Sequence, residues 1–132
     1  MSTGELDGQH VLIAEDEVVI SMELEVALRE AGAKVIGPAS TVTSAIEAIA
    51  SARQLDLAVL DVNLGGVAAY PVAELLKSRG VPFIFATGYS RPEIAPEHAD
   101  VTYLGKPVSM RQITSVLAQL GRQHHSVVDH AR

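Results

Sequence analysis

Five side chains in this sequence together suit the chemistry of a phosphoryl group: Glu15, Asp16, Asp61, Thr87 and Lys106. Each follows a short apolar run. Glu15 and Asp16 come after His10-Val11-Leu12-Ile13-Ala14, Asp61 after Leu57-Ala58-Val59-Leu60, Thr87 closes the run Phe83-Ile84-Phe85-Ala86, and Lys106 follows Val101-Thr102-Tyr103-Leu104-Gly105. Three carboxylates brought close repel one another, and a divalent cation relieves that crowding. Oxygen ligands without Cys or His favour a hard ion such as Mg²⁺. An ammonium and a hydroxyl added to that set would neutralise and hold a phosphoryl group. Asp61 is then the candidate nucleophile. Taken singly, each residue also has a plainer role. Glu15-Asp16-Glu17 could favour the positive end of a helix, and Asp61 could cap or turn the chain. Lys106 could be a surface lysine and Thr87 an ordinary strand end. The chemistry requires that all of them meet.

The elements that must position them alternate in type. After the first apolar run, Ile20, Leu24, Ala27, Leu28 and Ala31 recur at helical spacing, and Gly32 offers a C-terminus. Val35-Ile36-Gly37 reads as a second strand stopped by Gly37-Pro38. Ser40 or Thr41 can cap a helix with the face Val42, Ala45, Ile46, Ile49 and Ala50. The Asp61 strand, buried on both faces, is followed by a turn at Gly65-Gly66. Pro71 then suits the first turn of a third helix ending at Gly80. Residues 81–87 form a fourth strand. Residues 89–100, broken by Pro92 and Pro96, leave room for about one helical turn. A fifth strand leads to Lys106. Ser109 and Gln112 then form a capping box for a last helix with Met110, Ile113, Val116, Leu117 and Leu120 inside and Gly121 at its end.

Strict β-α alternation demands a parallel sheet with right-handed crossovers. The expected fold is therefore α/β, a single doubly wound five-stranded parallel sheet with helices on both faces and a short or irregular fourth helix. Residues 1–8 are expected as an N-terminal tail, 9–121 as the folded domain and 122–132 as a mobile C-terminal tail. His124, His125 and His130 fall in that tail and read as solvated. In such a sheet the carboxyl ends of the strands share one edge, where ligands bind. All five chemical residues fall on it.

Composition narrows the alternatives. The chain has 132 residues, 48% hydrophobic and 20% charged, as expected for one ordinary globular domain. The absence of cysteine excludes disulfides, thiolate metal sites and cysteine nucleophiles. A net charge of −6 argues against nonspecific nucleic-acid binding. No apolar stretch reaches the roughly 20 residues that span a bilayer, and the opening segment has no secretory-signal pattern. A cytoplasmic location is expected, without nucleic-acid or membrane partners.

With these residues in order, positions 9 to 120 resemble the receiver domain of two-component response regulators, which has a flavodoxin-like fold. The motifs that carry the resemblance are Glu15-Asp16, Asp61 after an apolar strand, Thr87 after Phe85-Ala86, and Lys106-Pro107. The stretch Pro82-Phe83-Ile84-Phe85-Ala86-Thr87-Gly88-Tyr89-Ser90 is similar to the signature of the FATGYS (FAT GUY) subgroup of stand-alone receivers. These are often served by kinases of the HWE or HisKA2 type. The resemblance implies that Asp61 accepts a phosphoryl group from a phosphohistidine on a sensor histidine kinase or phosphotransfer protein. It implies Mg²⁺ held by Asp16, by Glu15 through water, by Asp61 and by the backbone carbonyl of Asn63. Thr87 and Lys106 would contact the phosphoryl oxygens, Tyr103 would change rotamer with Thr87, and the Lys106–Pro107 bond would be cis. Tyr89, two residues past Thr87, falls where the resemblance implies a view of the approaching hydrolytic water, so it is expected either to slow phosphoryl loss or to be a surface aromatic on a partner-binding loop. The stunted fourth helix puts in doubt an output face copied from other receivers, so residues 88–100 are expected to order on phosphorylation.

The function implied is a single-domain response regulator that assists only its own phosphorylation and dephosphorylation and is otherwise not an enzyme. Its downstream partner is an unnamed protein. A monomer is expected, with phosphorylation-dependent dimerisation left open. A phosphate sink or relay intermediate would share the chemistry. A phosphorylation-independent binding module fits the intact acidic and basic set less well. A phosphohydrolase of the haloacid dehalogenase type is disfavoured, because its nucleophile lies on the first strand with a second acid two residues on. Here that position is Asn63, on the third strand.

Overall fold

A computed structural model describes residues 4–87, 96–98, 100–105 and 109–130. The elements follow the expected alternation: β1 (His10–Ala14), α1 (Val18–Glu30), β2 (Lys34–Ala39), α2 (Val42–Ser51), β3 (Leu57–Leu60), a hairpin of β4 (Asn63–Leu64) and β5 (Val67–Ala68), α3 (Tyr70–Ser78), β6 (Phe83–Thr87), a 3₁₀ turn (Pro96–His98), β7 (Thr102–Gly105) and α4 (Met110–His130). The main sheet has five strands in the order β2-β1-β3-β6-β7, and every pairing within it is parallel. This is the expected doubly wound α/β architecture. Where the fourth helix was expected to be short, the described residues hold the three-residue 3₁₀ turn.

The two faces of the sheet bury different residues because side chains alternate along a strand. Ala58 and Leu60 of β3 join Leu12, Phe83 and Phe85 against Ala45 and Ile49 of α2 and Val72 and Leu76 of α3. Leu57 and Val59 join Val11, Ile13 and Ile84 against Leu24 and Leu28 of α1 and Ile113 and Leu117 of α4. Both layers close on β3, whose four residues are all buried. The strand that leads to Asp61 is therefore packed from both faces. Thr41 caps α2 with a reciprocal bond pattern to Ser44, and the Ser109 hydroxyl accepts the Gln112 N–H at 3.0 Å at the start of α4. Among the described residues no helix is long and apolar enough to cross a membrane.

Three local expectations are corrected. Gly37-Pro38 does not stop β2, which runs through a cis Gly37–Pro38 bond to Ala39. The register shifts there, with Leu12 opposite Ile36 and Ala14 opposite Ala39. An edge strand tolerates the missing proline N–H. Residues 4–8 are not a loose tail: Leu6 is 1% exposed and its N–H donates to Ala31 O at 2.8 Å. Apolar burial against the end of α1 anchors the segment. Finally, Gly121 does not end α4, which continues to His130. Gly121 is absent from the glycines with positive φ, and a Cβ there would stand 3.6 Å from Leu57 Cδ1, so the residue is a helical packing position.

That last placement is testable. In a helix interior with ordinary contact distances, Gly121→Ala is expected to stabilise the domain by about 0.5–1 kcal/mol in denaturant unfolding. A loss of stability would restore the reading of Gly121 as a left-handed helix terminus.

Candidate functional site

The sheet order reverses direction between β1 and β3: from β1 the chain crosses to β2 on one side and to β3 on the other. Such a switch point opens a crevice at the carboxyl edge of an α/β sheet. The residues just past β1 and β3 meet there. Glu15 is 3% exposed and its N–H donates to Ala39 O at 2.9 Å. Asp61 is 6% exposed and its N–H donates to Ala14 O at 2.9 Å. The backbones of both residues are thus fixed by bonds that continue the ladders of their strands. Asp16, more open to solvent, completes the group: one carboxylate oxygen from each of the three lies within 4.8 Å of the others.

Local bonds orient the three acids. Glu15 Oε2 accepts the Glu17 N–H at 3.1 Å, and Asp61 Oδ1 accepts the Asn63 N–H at 3.1 Å. Asp16 Oδ2 accepts the Gly65 N–H at 2.8 Å. The last bond comes from the β4–β5 hairpin, whose strands pair Asn63 with Ala68 and Leu64 with Val67 across Gly65 and Gly66. Both glycines have positive φ, +60° and +86°, as a two-residue primed turn requires. Asn63 Oδ1 accepts the Gly66 N–H at 2.8 Å and closes the turn from within. The hairpin was not foreseen, although a Gly-Gly pair flanked by apolar residues is its usual signal.

Thr87 ends β6 at the same edge, with its backbone opposite Gly105 of β7. Leu60 pairs with Phe85 and Phe85 with Tyr103, so these three residues stand level across the sheet. Tyr103 packs beside the core layer under α2 and α3, and its Cε1 lies 3.5 Å from where a Gly105 Cβ would be. The ring therefore lies along β7 towards the carboxyl edge. Lys106, Pro107 with its expected cis bond, Tyr89 and residues 88–95 lie outside the described residues.

Two further features were missed by sequence reasoning. His98, 2% exposed, stacks on Tyr70 at 5.2 Å and meets Phe85 edge-on at 6.2 Å. No periodicity marks a buried histidine in a three-residue turn. About two turns further along α3, the Lys77 ammonium donates to Glu97 O at 2.8 Å and to Asp100 Oδ1 at 3.3 Å. The hydrogen bond from Lys77 holds the Asp100 carboxyl below the usual carboxylate range. That small contribution is present near neutral pH and is lost as pH falls through the lowered value. The second feature is an apolar stripe: Val18, Met22 and Val26 lie exposed at i, i+4 and i+8 on α1, with Val19 beside them. Their spacing was visible in the sequence once Leu24 and Leu28 were assigned inward. Val67, 55% exposed, carries apolar surface onto the hairpin.

An all-oxygen donor set of three carboxylates fits a hard divalent cation and offers nothing that a softer metal prefers. Acids gathered at a switch point, beside strands ending in Thr87 and Gly105, mark an α/β domain whose ligand site lies at the carboxyl edge of its sheet. Residues 11–118 match the response regulator receiver domain; the chain belongs to that family. It is 33% identical over 112 residues to the phyllosphere-induced regulator PhyR of Methylorubrum extorquens, covering 83% of this chain and 42% of PhyR. It is 32% identical over 111 residues to the transcriptional regulatory protein PdtaR of Mycobacterium tuberculosis, covering 80% of this chain and 53% of PdtaR. The chain spans about half the length of these curated relatives. The solution structure of SdrG from Sphingomonas melonis Fr1 is 38% identical with a TM-score of 0.75, covering 91% of this chain and 98% of that one.

Like charges within 4.8 Å repel by about 1–3 kcal/mol per pair for effective dielectric constants between bulk water and a protein surface. Asp61→Asn is accordingly expected to raise the thermal midpoint in cation-free buffer. A lowered midpoint would show that the three acids do not strain the fold.

Proposed function

We propose that this receiver accepts a phosphoryl group on Asp61 from a phosphohistidine of a sensor histidine kinase or phosphotransfer protein, in a cytoplasmic two-component relay. The observation that carries this reading is the placement of buried Asp61 at the switch point, within 4.8 Å of Glu15 and Asp16. Burial restricts the carboxylate to one approach, and the Asn63 N–H on Oδ1 sets its orientation. In the transfer, an Asp61 oxygen bonds to phosphorus while the phosphorus–nitrogen bond breaks, and the donor imidazole leaves with the electron pair. When bound, Mg²⁺ on Glu15, Asp16, Asp61 and the Asn63 carbonyl would offset the charge gathered by three acids and a phosphoryl group.

The Thr87 hydroxyl and the Lys106 ammonium are assigned to the phosphoryl oxygens. Tyr103 is assigned as the ring that follows Thr87, and Tyr89 as a shield against water. The exposed apolar residues Val18, Val19 and Met22 at the start of α1, and Val67 on the hairpin, support a protein donor. HWE or HisKA2 kinases are the proposed donors on the strength of the FATGYS stretch. The same stretch, and a likeness to SdrG over nearly all of that chain, support output through a partner protein contacting the segment after Thr87.

The test is incubation with a phosphorylated kinase of this type and Mg²⁺. Transfer to wild type is expected, with at least about a 100-fold loss in Asp61→Ala at unchanged circular dichroism. Equal transfer to both would overturn the assignment.

A further inference from the structure

The hairpin between β3 and α3 touches the acidic cluster through one bond, from Gly65 N–H to Asp16 Oδ2 at 2.8 Å, between residues 49 apart in sequence. Two-residue strands have little stability of their own. Leu64, 1% exposed, anchors one side of this hairpin in the core, while Val67 and Ala68 on the other side face solvent. No heavy atom lies within 4 Å of a Cβ built on Gly65 or Gly66. These glycines are required by their positive φ and not by lack of space.

Asp16 has the opposite problem. It is the most open of three acids whose oxygens crowd within 4.8 Å, so repulsion favours swinging it outward. Glu15 and Asp61 are held by burial and by their strands; Asp16 is held across the crevice by the hairpin's N–H. A hydrogen bond from a backbone N–H to a carboxylate is among the stronger kinds in proteins.

We infer that Gly65 is a positioning residue, whose N–H holds Asp16 in place for a divalent cation and so couples cation binding to closure of the hairpin. This rests on the cation site proposed above. By linkage, a closed hairpin tightens the cation, and the cation in turn stabilises the closed hairpin. The turn needs αL geometry at Gly65, so an asparagine there preserves the bond and a valine opposes it.

The first measurement is Mn²⁺ affinity of the whole chain by electron paramagnetic resonance. Gly65→Asn is expected to bind within about twofold of wild type, and Gly65→Val at least about fivefold more weakly. No Mn²⁺ binding by wild type would overturn the cation site itself. Wild-type binding that persists unchanged in a folded Gly65→Val overturns the hairpin's role alone.

The second measurement needs no substitution in the turn. Without cation, Asp16→Ala is expected to speed exchange of the Gly65 amide by about tenfold, leaving the Gly66 amide, held by Asn63 Oδ1, within about twofold. Adding Mg²⁺ is expected to slow Gly65 exchange in wild type and not in Asp16→Ala. Gly65 exchange insensitive to both Asp16 and Mg²⁺ overturns the inference.

Discussion

Like-charge crowding at the edge of a rigid sheet is the constraint on which the rest of the structure depends. Asp61 and Glu15 are buried carboxylates; the bonds from their N–H groups to Ala14 and Ala39 fix their backbones, and the Asn63 and Glu17 N–H groups orient their side chains. A flexible loop would relieve that repulsion by rearranging. Here it is sustained by two apolar layers that both close on β3. The continuous apolar run of Leu57, Ala58, Val59 and Leu60 is thus a condition for the site that begins at the next residue, Asp61. Three carboxylates gathered at one edge suit a hard divalent cation.

α3 connects this site to the segment before β7. At its start, the Ala69 N–H donates to Val62 O at 2.7 Å, one residue from Asp61. The next residue, Tyr70, stacks on His98, and Lys77 grips Glu97 and Asp100. The same helix therefore starts beside Asp61 at one end and clamps the 3₁₀ turn along its side. In this receiver the turn stands where a fourth helix was expected to be reduced. Its attachment to α3 fixes the described part of the β6–β7 connection.

Most of the architecture was legible in the sequence because buried parallel strands leave continuous apolar runs, and those runs end in chemically distinct residues. Glu15, Asp16 and Asp61 could be brought together on strand order alone. The misreadings each trace to a local signal overruled by packing. Gly37-Pro38 reads as a stop, yet β2 is an edge strand and continues. Gly121 reads as a helix terminus, yet it faces Leu57 where a small residue fits. Leu6 sits in a polar segment with no period to show that its side chain is buried. The hairpin strands are two residues each, too short for any periodicity, so the bond from Gly65 to Asp16 could only come from the fold. The stack of His98 on Tyr70 has no sequence signature at all.

The central claim is that Asp61 itself carries the phosphoryl group. An acyl phosphate on an aspartate is reduced by borohydride to homoserine, which marks the residue permanently. The direct measurement is therefore to phosphorylate the wild-type chain, reduce it with labelled borohydride and map the labelled peptide. The label is predicted at position 61 and nowhere else. Label on another carboxylate, or phosphorylated protein that yields no homoserine, would contradict the account.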